Sequence, residues 1–151
     1  MNNCLTVMTS TVLIFVMSLA SADSLFTKKI TIKLSNYATH IYIEKDGTIR
    51  DSTYKTKGYI RKDGTYQDSG HRTKGYMSDN KTIKDSSYRT LGYYEDGTIK
   101  DSSYRTLGYI KSGGTIQNSS YKTVGFAEGI NAGEEKYIAA YILIFEPELL
   151  K

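Results

Sequence analysis

The sequence predicts an all-β protein in which about five to six β-hairpin repeats of 17 residues surround a central axis, as in a miniature propeller. Three observations lead to this prediction: a repeat through most of the chain, two turn signals in each repeat, and a composition rich in strand formers. The 151 residues include 14 Tyr, 13 Gly, one Pro and no Trp. Tyr and Thr favour strands and Gly favours turns. A chain of this length forms one ordinary domain.

The repeat is the strongest signal in the chain. Five units align, each beginning with Tyr, and they span residues 42–58, 59–75, 76–92, 93–108 and 109–125. The fourth unit is one residue shorter than the others, Phe126 begins an incomplete sixth unit, and residues 31–43 align with the second half of a unit. Self-similarity at a fixed period indicates an architecture in which each unit depends on its neighbours.

Each unit contains two turn signals. Asp-Gly at 46–47, 63–64 and 96–97 lies between Thr- and Tyr-rich segments, a strong hairpin signal. The longer units predict a three-residue loop with Gly in the left-handed conformation, and the short unit predicts a two-residue turn at 96–97. In the third unit Lys81 replaces Gly, so we expect Asn80 to take the positive φ. The second turn is Asp-Ser-Ser/Thr-Tyr, at 51–54, 85–88 and 101–104.

Strand alternation predicts which side chains are interior. In residues 88–94 one face carries Tyr88, Thr90, Gly92 and Tyr94, and the other carries the alternate residues, including Tyr93. The first face is predicted to be buried, because the residues equivalent to Tyr94 in other units are apolar: Ile43, Ile60, Met77 and Ile110. Glycine repeats on this face, where it allows close approach of neighbouring backbones: Gly58, Gly75, Gly92, Gly108 and Gly125.

The half-units at the two ends favour a closed ring over a straight ladder, because meeting ends leave no open edges. Residues 137–145 (YIAAYILIF) are the most apolar stretch after residue 22 and are predicted to form a C-terminal strand that closes the ring and fills its centre. Pro147 is expected to end this strand, leaving a tail at 146–151. The alternative is an apolar patch that faces lipid or a partner.

The first 22 residues predict an export signal. A short apolar segment at 12–20 precedes Ala20-Ser21-Ala22, which fits a cleavage site, although no Lys or Arg precedes the apolar segment. We expect cleavage near Ala22, a linker at 23–29, export to the periplasm or the cell exterior, and no membrane span after cleavage. The alternative is an uncleaved or interfacial anchor. The single Cys, Cys4, excludes an intrachain disulfide framework.

The sequence predicts neither an enzyme nor a cofactor or metal site. His40 and His71 occupy different places in the repeat, without spaced metal-ligating partners. No serine lies in a nucleophile motif and no glycine run matches a nucleotide-binding motif. Repeated aspartates could suggest calcium or a carboxylate pair for glycoside hydrolysis. However, their turn positions explain them, and the fifth unit replaces them with Gly113 and Asn118.

The repeated pattern DGTI-x-(D/N)-SS-x-(R/K)-T-(L/V)-G resembles the bacterial five-fold β-flower repeat proteins. Residues 123–129 and the Ala-Ala-containing segment at 139–145 resemble that group as well. The resemblance covers about residues 30–145, which we take as the repeat domain, and it implies hairpins around a rotation axis in an exported protein. The sequence departs from the family pattern at positions 54, 88, 104 and 121, where Tyr replaces a small polar turn residue. It implies no activity.

Two classes of function fit these features. The first is an exported, non-enzymatic protein with a structural or protein-interaction role. The alternative is a small multivalent carbohydrate-binding module that uses the outward tyrosines Tyr42, Tyr59, Tyr76, Tyr93 and Tyr109. Basic residues flank these tyrosines, at 55, 72, 89, 105 and 122. The other interpretation is that the tyrosines only pack as cross-strand pairs. The sequence does not identify the partner; a glycan and another exported protein are the two candidates, and the export signal and the interleaved acids argue against nucleic acid.

Overall fold

The structure is a computed structural model that describes residues 24–151; the export signal predicted for residues 1–22 lies outside them. The described residues contain twelve short strands, one α-helix and one 3₁₀ helix. In chain order the strands are β1 (Ile30–Leu34), β2 (Thr39–Ile43), β3 (Thr48–Asp51), β4 (Thr56–Ile60), β5 (Thr65–Asp68), β6 (Thr73–Ser78), β7 (Thr82–Asp85), β8 (Thr90–Glu95), β9 (Thr98–Asp101), β10 (Thr106–Ile110), β11 (Thr115–Asn118) and β12 (Thr123–Glu128). The α-helix α1 (Glu135–Phe145) and the 3₁₀ helix (Pro147–Leu150) follow.

The twelve strands form one closed antiparallel barrel in which sequence neighbours are spatial neighbours. The barrel closes where β1 pairs with β12, with Thr31 opposite Glu128 and Leu34 opposite Gly125. Lys33 Nζ donates to Glu128 Oε1 at 2.9 Å across this seam. The predicted closure is confirmed. Because each described strand has a partner on both sides, none is an edge strand.

The turns nearest the start of each unit follow the sequence closely. Gly47 has a φ of 88° in a three-residue loop, whereas Asp96 and Gly97, with φ of 46° and 79°, form the two-residue turn of the short unit. Asp79 and Asn80 share the left-handed conformation in the third unit, with φ of 53° and 56°. These turns make up one end of the barrel, the glycine-turn rim; the Asp-Ser-Ser/Thr-Tyr turns make up the other, the tyrosine-turn rim.

Isoleucine lines the interior of the barrel. The fully or nearly fully buried isoleucines of the strands are Ile30, Ile32, Ile41, Ile43, Ile49, Ile60, Ile83, Ile99, Ile110 and Ile116. The predicted inward face is therefore correct at the Ile43, Ile60, Met77 and Ile110 positions, and Tyr94 is half-buried. Tyr66 replaces the isoleucine of β5, and its hydroxyl donates to the carbonyl oxygen of Tyr137 at 3.2 Å.

The repeated inward glycines are required by contacts between adjacent backbones. A Cβ on Gly58 would lie 2.3 Å from the carbonyl oxygen of Gln67 on the neighbouring strand. A Cβ on Gly75 would lie 2.5 Å from the carbonyl oxygen of Lys84 and 2.8 Å from Cδ1 of Ile144 in α1. Neither backbone carbonyl can move away without breaking the strand pairing, so a side chain at these positions would open the barrel wall.

The predicted C-terminal strand at 137–145 is wrong, because these residues belong to the helix α1. The pairing of β1 with β12 already closes the barrel, so no strand edge remains for a thirteenth strand. A segment on the barrel axis has no backbone partners in the wall, and only a helix satisfies its own amide and carbonyl groups. Ala139 and Ala140 also favour helix and leave room against the wall.

The helix α1 fills the barrel from one rim to the other. At the glycine-turn rim Lys136 Nζ donates to Asn80 Oδ1 at 2.9 Å. At the opposite rim Glu146 Oε1 lies 3.5 Å from Nε2 of His40. Residues 138–143 are all buried, so the helix is surrounded on every side. Its length of about 16 Å matches the span of a five-residue strand. The central position agrees with the prediction, and burial of 138–143 excludes the alternative of an exposed apolar patch.

The segments before β1 and after α1 also contribute to the core. Phe26, in the predicted linker, is buried and packs edge-on against Tyr137 at a ring-centroid distance of 5.2 Å. In the predicted tail, Leu150 is buried beside Gly108. No helix among residues 24–151 has the length and hydropathy needed to cross a bilayer.

We predict that Gly58→Ala destabilises the fold by about 1–3 kcal/mol, because its Cβ would overlap the backbone of the next strand. Gly70→Ala is the matched control, since a Cβ there meets only a carboxylate oxygen at 3.4 Å and its φ is not left-handed. Urea unfolding of both variants checks this. Equal midpoints for Gly58→Ala and the unsubstituted protein would contradict the required close approach.

Candidate functional site

The outer surface of the barrel carries six stacked aromatic pairs among the described residues, which we call the paired aromatics. Each pair joins one strand residue to one turn residue at a centroid distance of 4.2–4.9 Å, with the planes within 19° of parallel. The pairs are Tyr42–Tyr54, Tyr59–His71, Tyr76–Tyr88, Tyr93–Tyr104, Tyr109–Tyr121 and Phe126–Tyr37. The strand members are half-buried, and the turn members are exposed.

The turn that presents the outer member of each pair is held by an aspartate or its equivalent. In the fourth unit the Oδ1 of Asp101 accepts the backbone N–H groups of Ser103 at 2.8 Å and Arg105 at 3.0 Å. The backbone N–H of Tyr104 donates to the carbonyl oxygen of Asp101 at 3.0 Å. These bonds close a three-residue loop whose last position requires a positive φ.

Aromatic residues occupy this left-handed position in every one of the six pairs. Their φ values lie between 60° and 64° for Tyr37, Tyr54, His71, Tyr88, Tyr104 and Tyr121. Glycine or asparagine is the usual residue there, because a left-handed φ costs an L side chain about 1–2 kcal/mol. The positive φ also turns the side chain outward, which is why the prediction that Tyr88 faces the interior is wrong; Tyr88 is 66% exposed.

Stacking offsets this backbone cost without clearly exceeding it. An aromatic pair contributes about 0.5–1.5 kcal/mol beyond the area that it buries. The two effects are similar in size, so the stability of the turn alone gives no reason for an aromatic side chain. In three pairs the side chains also form a hydrogen bond, which raises the pKa of Tyr76, Tyr104 and Tyr109. In the last of these pairs the hydroxyl of Tyr109 donates to that of Tyr121 at 3.1 Å.

Cations lie beside several of the pairs. Lys29 Nζ is 4.8 Å from the ring centre of Tyr42, and Lys111 Nζ is 4.8 Å from that of Tyr109. Arg61 lies 4.6 Å from the ring centre of Tyr59 and contacts Nδ1 of His71 at 3.2 Å. Exposed cation–aromatic contacts of this kind contribute about 0.5–1 kcal/mol each. The surface therefore combines flat aromatic faces with positive charge.

The structure places the five predicted tyrosines on the outer face, each in a separate pair. The basic residues predicted to flank them serve the turns in three units, where Arg72, Arg89 and Arg105 pair with their own turn aspartates at 2.7–3.1 Å. Sequence reasoning missed the exposed turn aromatics, including Tyr54 and Tyr121. The available signal was Tyr at a turn position where glycine or asparagine is expected.

The two histidines lie far apart in the repeat plan and in different surroundings. His71 stacks on Tyr59, and His40 lies beside Glu146, whose Oε1 also accepts the hydroxyl of Tyr141 at 3.4 Å. No group of three or more His, Cys, Asp or Glu residues within residues 24–151 is arranged to hold a metal ion.

The shortened fourth unit leaves a cleft at the glycine-turn rim. Tyr94, Asp96, Tyr109, Lys111 and Glu135 are among the residues that line about 440 Å³ between the short turn and the start of α1. Burial raises the pKa of Tyr94, which stands where other units have isoleucine or methionine, to about 12. The residues that line the cleft carry charges of both signs, from Asp96, Glu135 and Lys111.

The turn carboxylates link stability to pH. The backbone N–H of Arg105 holds the pKa of Asp101 below its usual range, and the same bond from Arg72 lowers the pKa of Asp68. A carboxylate with a lowered folded-state pKa stabilises the fold above its unfolded pKa, and this contribution is lost as the pH falls through the folded value. The fold should therefore lose stability below about pH 4.

We predict that Asp101→Asn weakens this acid dependence while preserving the turn. Asn118 already makes the same turn in the fifth unit, where its Oδ1 accepts the N–H groups of Ser120 and Lys122 at 3.1 Å. Melting temperatures measured from pH 2 to 7 should fall less steeply for Asp101→Asn below pH 4. Parallel curves for the variant and the unsubstituted protein would show that Asp101 does not titrate with folding.

Comparison with known proteins supports the repeat assignment. The model of a family described as 5-fold beta-flower proteins matches residues 29–145, which include all twelve strands and α1. Searches of curated proteins and of solved structures found no match. The family resemblance inferred from the repeated turn motif is thus confirmed, and the chain belongs to the five-fold β-flower family.

Proposed function

We propose that this protein is an exported, non-enzymatic interaction module that engages its partner through the paired aromatics. One observation carries the proposal: six exposed aromatic side chains occupy left-handed backbone positions at which glycine is usual and at which stability alone gives no reason for an aromatic residue. Strained positions of this kind concentrate where a protein binds something. Export is supported by the apolar segment at 12–20 and the Ala20-Ser21-Ala22 sequence.

The non-enzymatic part of the proposal is supported by the equivalence of the units. Catalysis needs groups whose environments differ, so that one acts as an acid while another acts as a base. Here each turn aspartate accepts hydrogen bonds from backbone N–H groups at equivalent positions, and each turn aromatic stacks on the strand aromatic of its own unit. The repeats therefore supply many similar groups. Similar sites in a ring are suited to binding in which multiplicity raises a weak affinity.

We also infer that the ring is built from six two-stranded units, five of them the aligned repeats and the sixth shared by the two chain ends. Tyr37, with a φ of 63°, stands where the other units have their turn aromatic, and Phe126 stands in place of the strand tyrosine. The sixth pair thus joins a residue near the start of the domain to one near its end.

Carbohydrate is a second candidate for the partner, favoured by the free face of each turn ring. One face stacks on the strand aromatic, and the exposed fraction of the turn tyrosines is 53–67%. Polar side chains lie opposite the strand tyrosines on the next strand, for example Gln67 opposite Tyr59 and Arg50 opposite Tyr42. A flat aromatic face beside hydrogen-bonding groups is a surface on which the apolar face of a sugar ring stacks.

We predict that replacing four turn tyrosines by glycine (Tyr54→Gly, Tyr88→Gly, Tyr104→Gly and Tyr121→Gly) leaves the fold intact. Each replacement relieves the left-handed strain and loses one stack, so each should change the unfolding free energy by less than about 1 kcal/mol. A matched control changes the exposed serines of the same turns: Ser52→Ala, Ser86→Ala, Ser102→Ala and Ser119→Ala.

Urea unfolding and binding to a glycan array are measured on all three proteins. If the glycine variant unfolds or loses clearly more than about 4 kcal/mol of unfolding free energy while the serine variant does not, the pairs are structural and the proposed role fails. If it stays folded and loses glycan binding that the serine variant keeps, the carbohydrate candidate is supported. Unchanged glycan binding by the glycine variant would exclude that candidate.

A further inference from the structure

The fifth unit, residues 109–125, is the only one of the five aligned units that contains no acidic residue. It contains Lys111 and Lys122 and no Asp or Glu, whereas each of the other units has at least two acidic residues. Relative to the first unit, three of its differences remove negative charge, with Lys111 in place of Glu44, Gly113 in place of Asp46 and Asn118 in place of Asp51. Three others remove positive charge, with Ser112 in place of Lys45, Gln117 in place of Arg50 and Val124 in place of Lys57. The turn geometry survives these changes, because Asn118 accepts the same two backbone N–H groups.

The unit without acidic residues contains one of the paired aromatics, Tyr109–Tyr121. Lys111 Nζ lies 4.8 Å from the ring centre of Tyr109 and 5.9 Å from that of Tyr121. The two rings are 4.7 Å apart and within 10° of parallel, and Tyr121 is 62% exposed. Gln117 lies opposite Tyr109 on the next strand and offers an amide. A flat face, an amide and a cation that makes no ion pair within 4 Å with any of residues 24–151 are therefore brought together.

We propose that the Tyr109–Tyr121 pair is the principal binding site of the ring and takes a sugar unit of an anionic polysaccharide, with the sugar ring on Tyr121 and its carboxylate or sulfate at Lys111. This inference rests on the carbohydrate candidate for the proposed function and narrows it to one site and one ligand class. A neutral sugar would gain nothing from the loss of acids in this unit, whereas an anionic sugar would be repelled by them elsewhere.

The carboxylates nearest to this site do not block it. Asp96 and Glu135 line the cleft at the glycine-turn rim together with Tyr109 and Lys111, so an anion is disfavoured inside that cleft. The exposed Tyr121 belongs to the tyrosine turn at 118–121, which contains Asn118, Ser119 and Ser120 and no acid. The ligand is therefore expected on the outer surface of the barrel and not in the cleft.

The spacing of the units favours a polymer over a single sugar. Adjacent pairs are two strands apart, or about 10 Å across the barrel wall. Two sugar residues of an extended chain cover a similar length. A chain anchored at the fifth unit can extend to the adjacent Tyr37–Phe126 pair, whose turn contains Ser35 and Asn36 and no acid, so affinity should rise when the chain becomes long enough to reach that pair.

The test compares matched variants of the fifth and third units against defined probes. The third unit has the Tyr76–Tyr88 pair, in which Asp85 holds Arg89 at 2.8 Å, so Tyr88→Gly is the control for Tyr121→Gly. Lys111→Glu restores the residue type found at Glu44, and Asn118→Asp restores the turn acid. The probes are oligogalacturonates of two to eight sugars, dextran sulfate, neutral dextran and polyaspartate, measured by calorimetry at low and physiological salt.

We expect the oligogalacturonates or dextran sulfate to bind, and neutral dextran and polyaspartate to bind at least tenfold more weakly. Tyr121→Gly and Lys111→Glu should each weaken binding at least tenfold, Asn118→Asp a few-fold, and Tyr88→Gly less than twofold. Thermal melting of each variant establishes that it is folded. Binding by carboxylated but not sulfated chains, or the reverse, identifies which acidic group is recognised.

Three results would overturn the inference. Neutral dextran binding as tightly as the anionic chains, with equal losses in Tyr88→Gly and Tyr121→Gly, would leave carbohydrate binding standing but remove the special role of the fifth unit. Polyaspartate binding as tightly as the sugars would show unspecific charge attraction. Absence of binding to any probe and to the glycan array would contradict the inference together with the carbohydrate candidate.

Discussion

The pairing of β1 with β12 is the interaction on which the rest of the structure depends. Hairpins of four- to six-residue strands are marginal alone, and a ladder of them would keep two open edges. Closure gives each strand two partners and creates an interior that isoleucines and α1 fill. It also explains the helix, because a segment enclosed by a complete wall must satisfy its own backbone. The sixth aromatic pair, Tyr37–Phe126, exists only because the ends meet.

Different physical constraints determine the residues of the barrel wall and those of the outer surface. Inside, Gly58 and its equivalents allow the backbones to approach, and any side chain there would separate the strands. Outside, the left-handed turn position would accept glycine at no steric cost, yet it carries Tyr or His in all six pairs. Glycine thus appears where packing requires it and aromatic residues where packing does not. This contrast is why we attribute the inward pattern to stability and propose that the outward pattern serves binding.

Much of the fold could be predicted from local sequence signals. The Asp-Gly turns, the one-residue difference at Asp96-Gly97, the inward face and the half-units at both ends are readable because each depends on short segments or on the repeat itself. The helix at Glu135–Phe145 could not be predicted, since YIAAYILIF suits a strand or a helix and only the completed wall decides between them. The outward Tyr88 was missed because strand alternation fails where φ becomes positive.

Closure is tested most directly by a disulfide across the seam. Thr31 and Glu128 lie opposite each other on β1 and β12, so Thr31→Cys with Glu128→Cys, in a chain also carrying Cys4→Ser, should oxidise to an intramolecular bridge in the monomer. Thr31→Cys with Lys84→Cys, which places the second cysteine on β7 across the barrel, should remain reduced. Mass spectrometry and non-reducing gels distinguish the products. Failure of positions 31 and 128 to bridge, or bridging only between molecules, would contradict a ring closed within one chain.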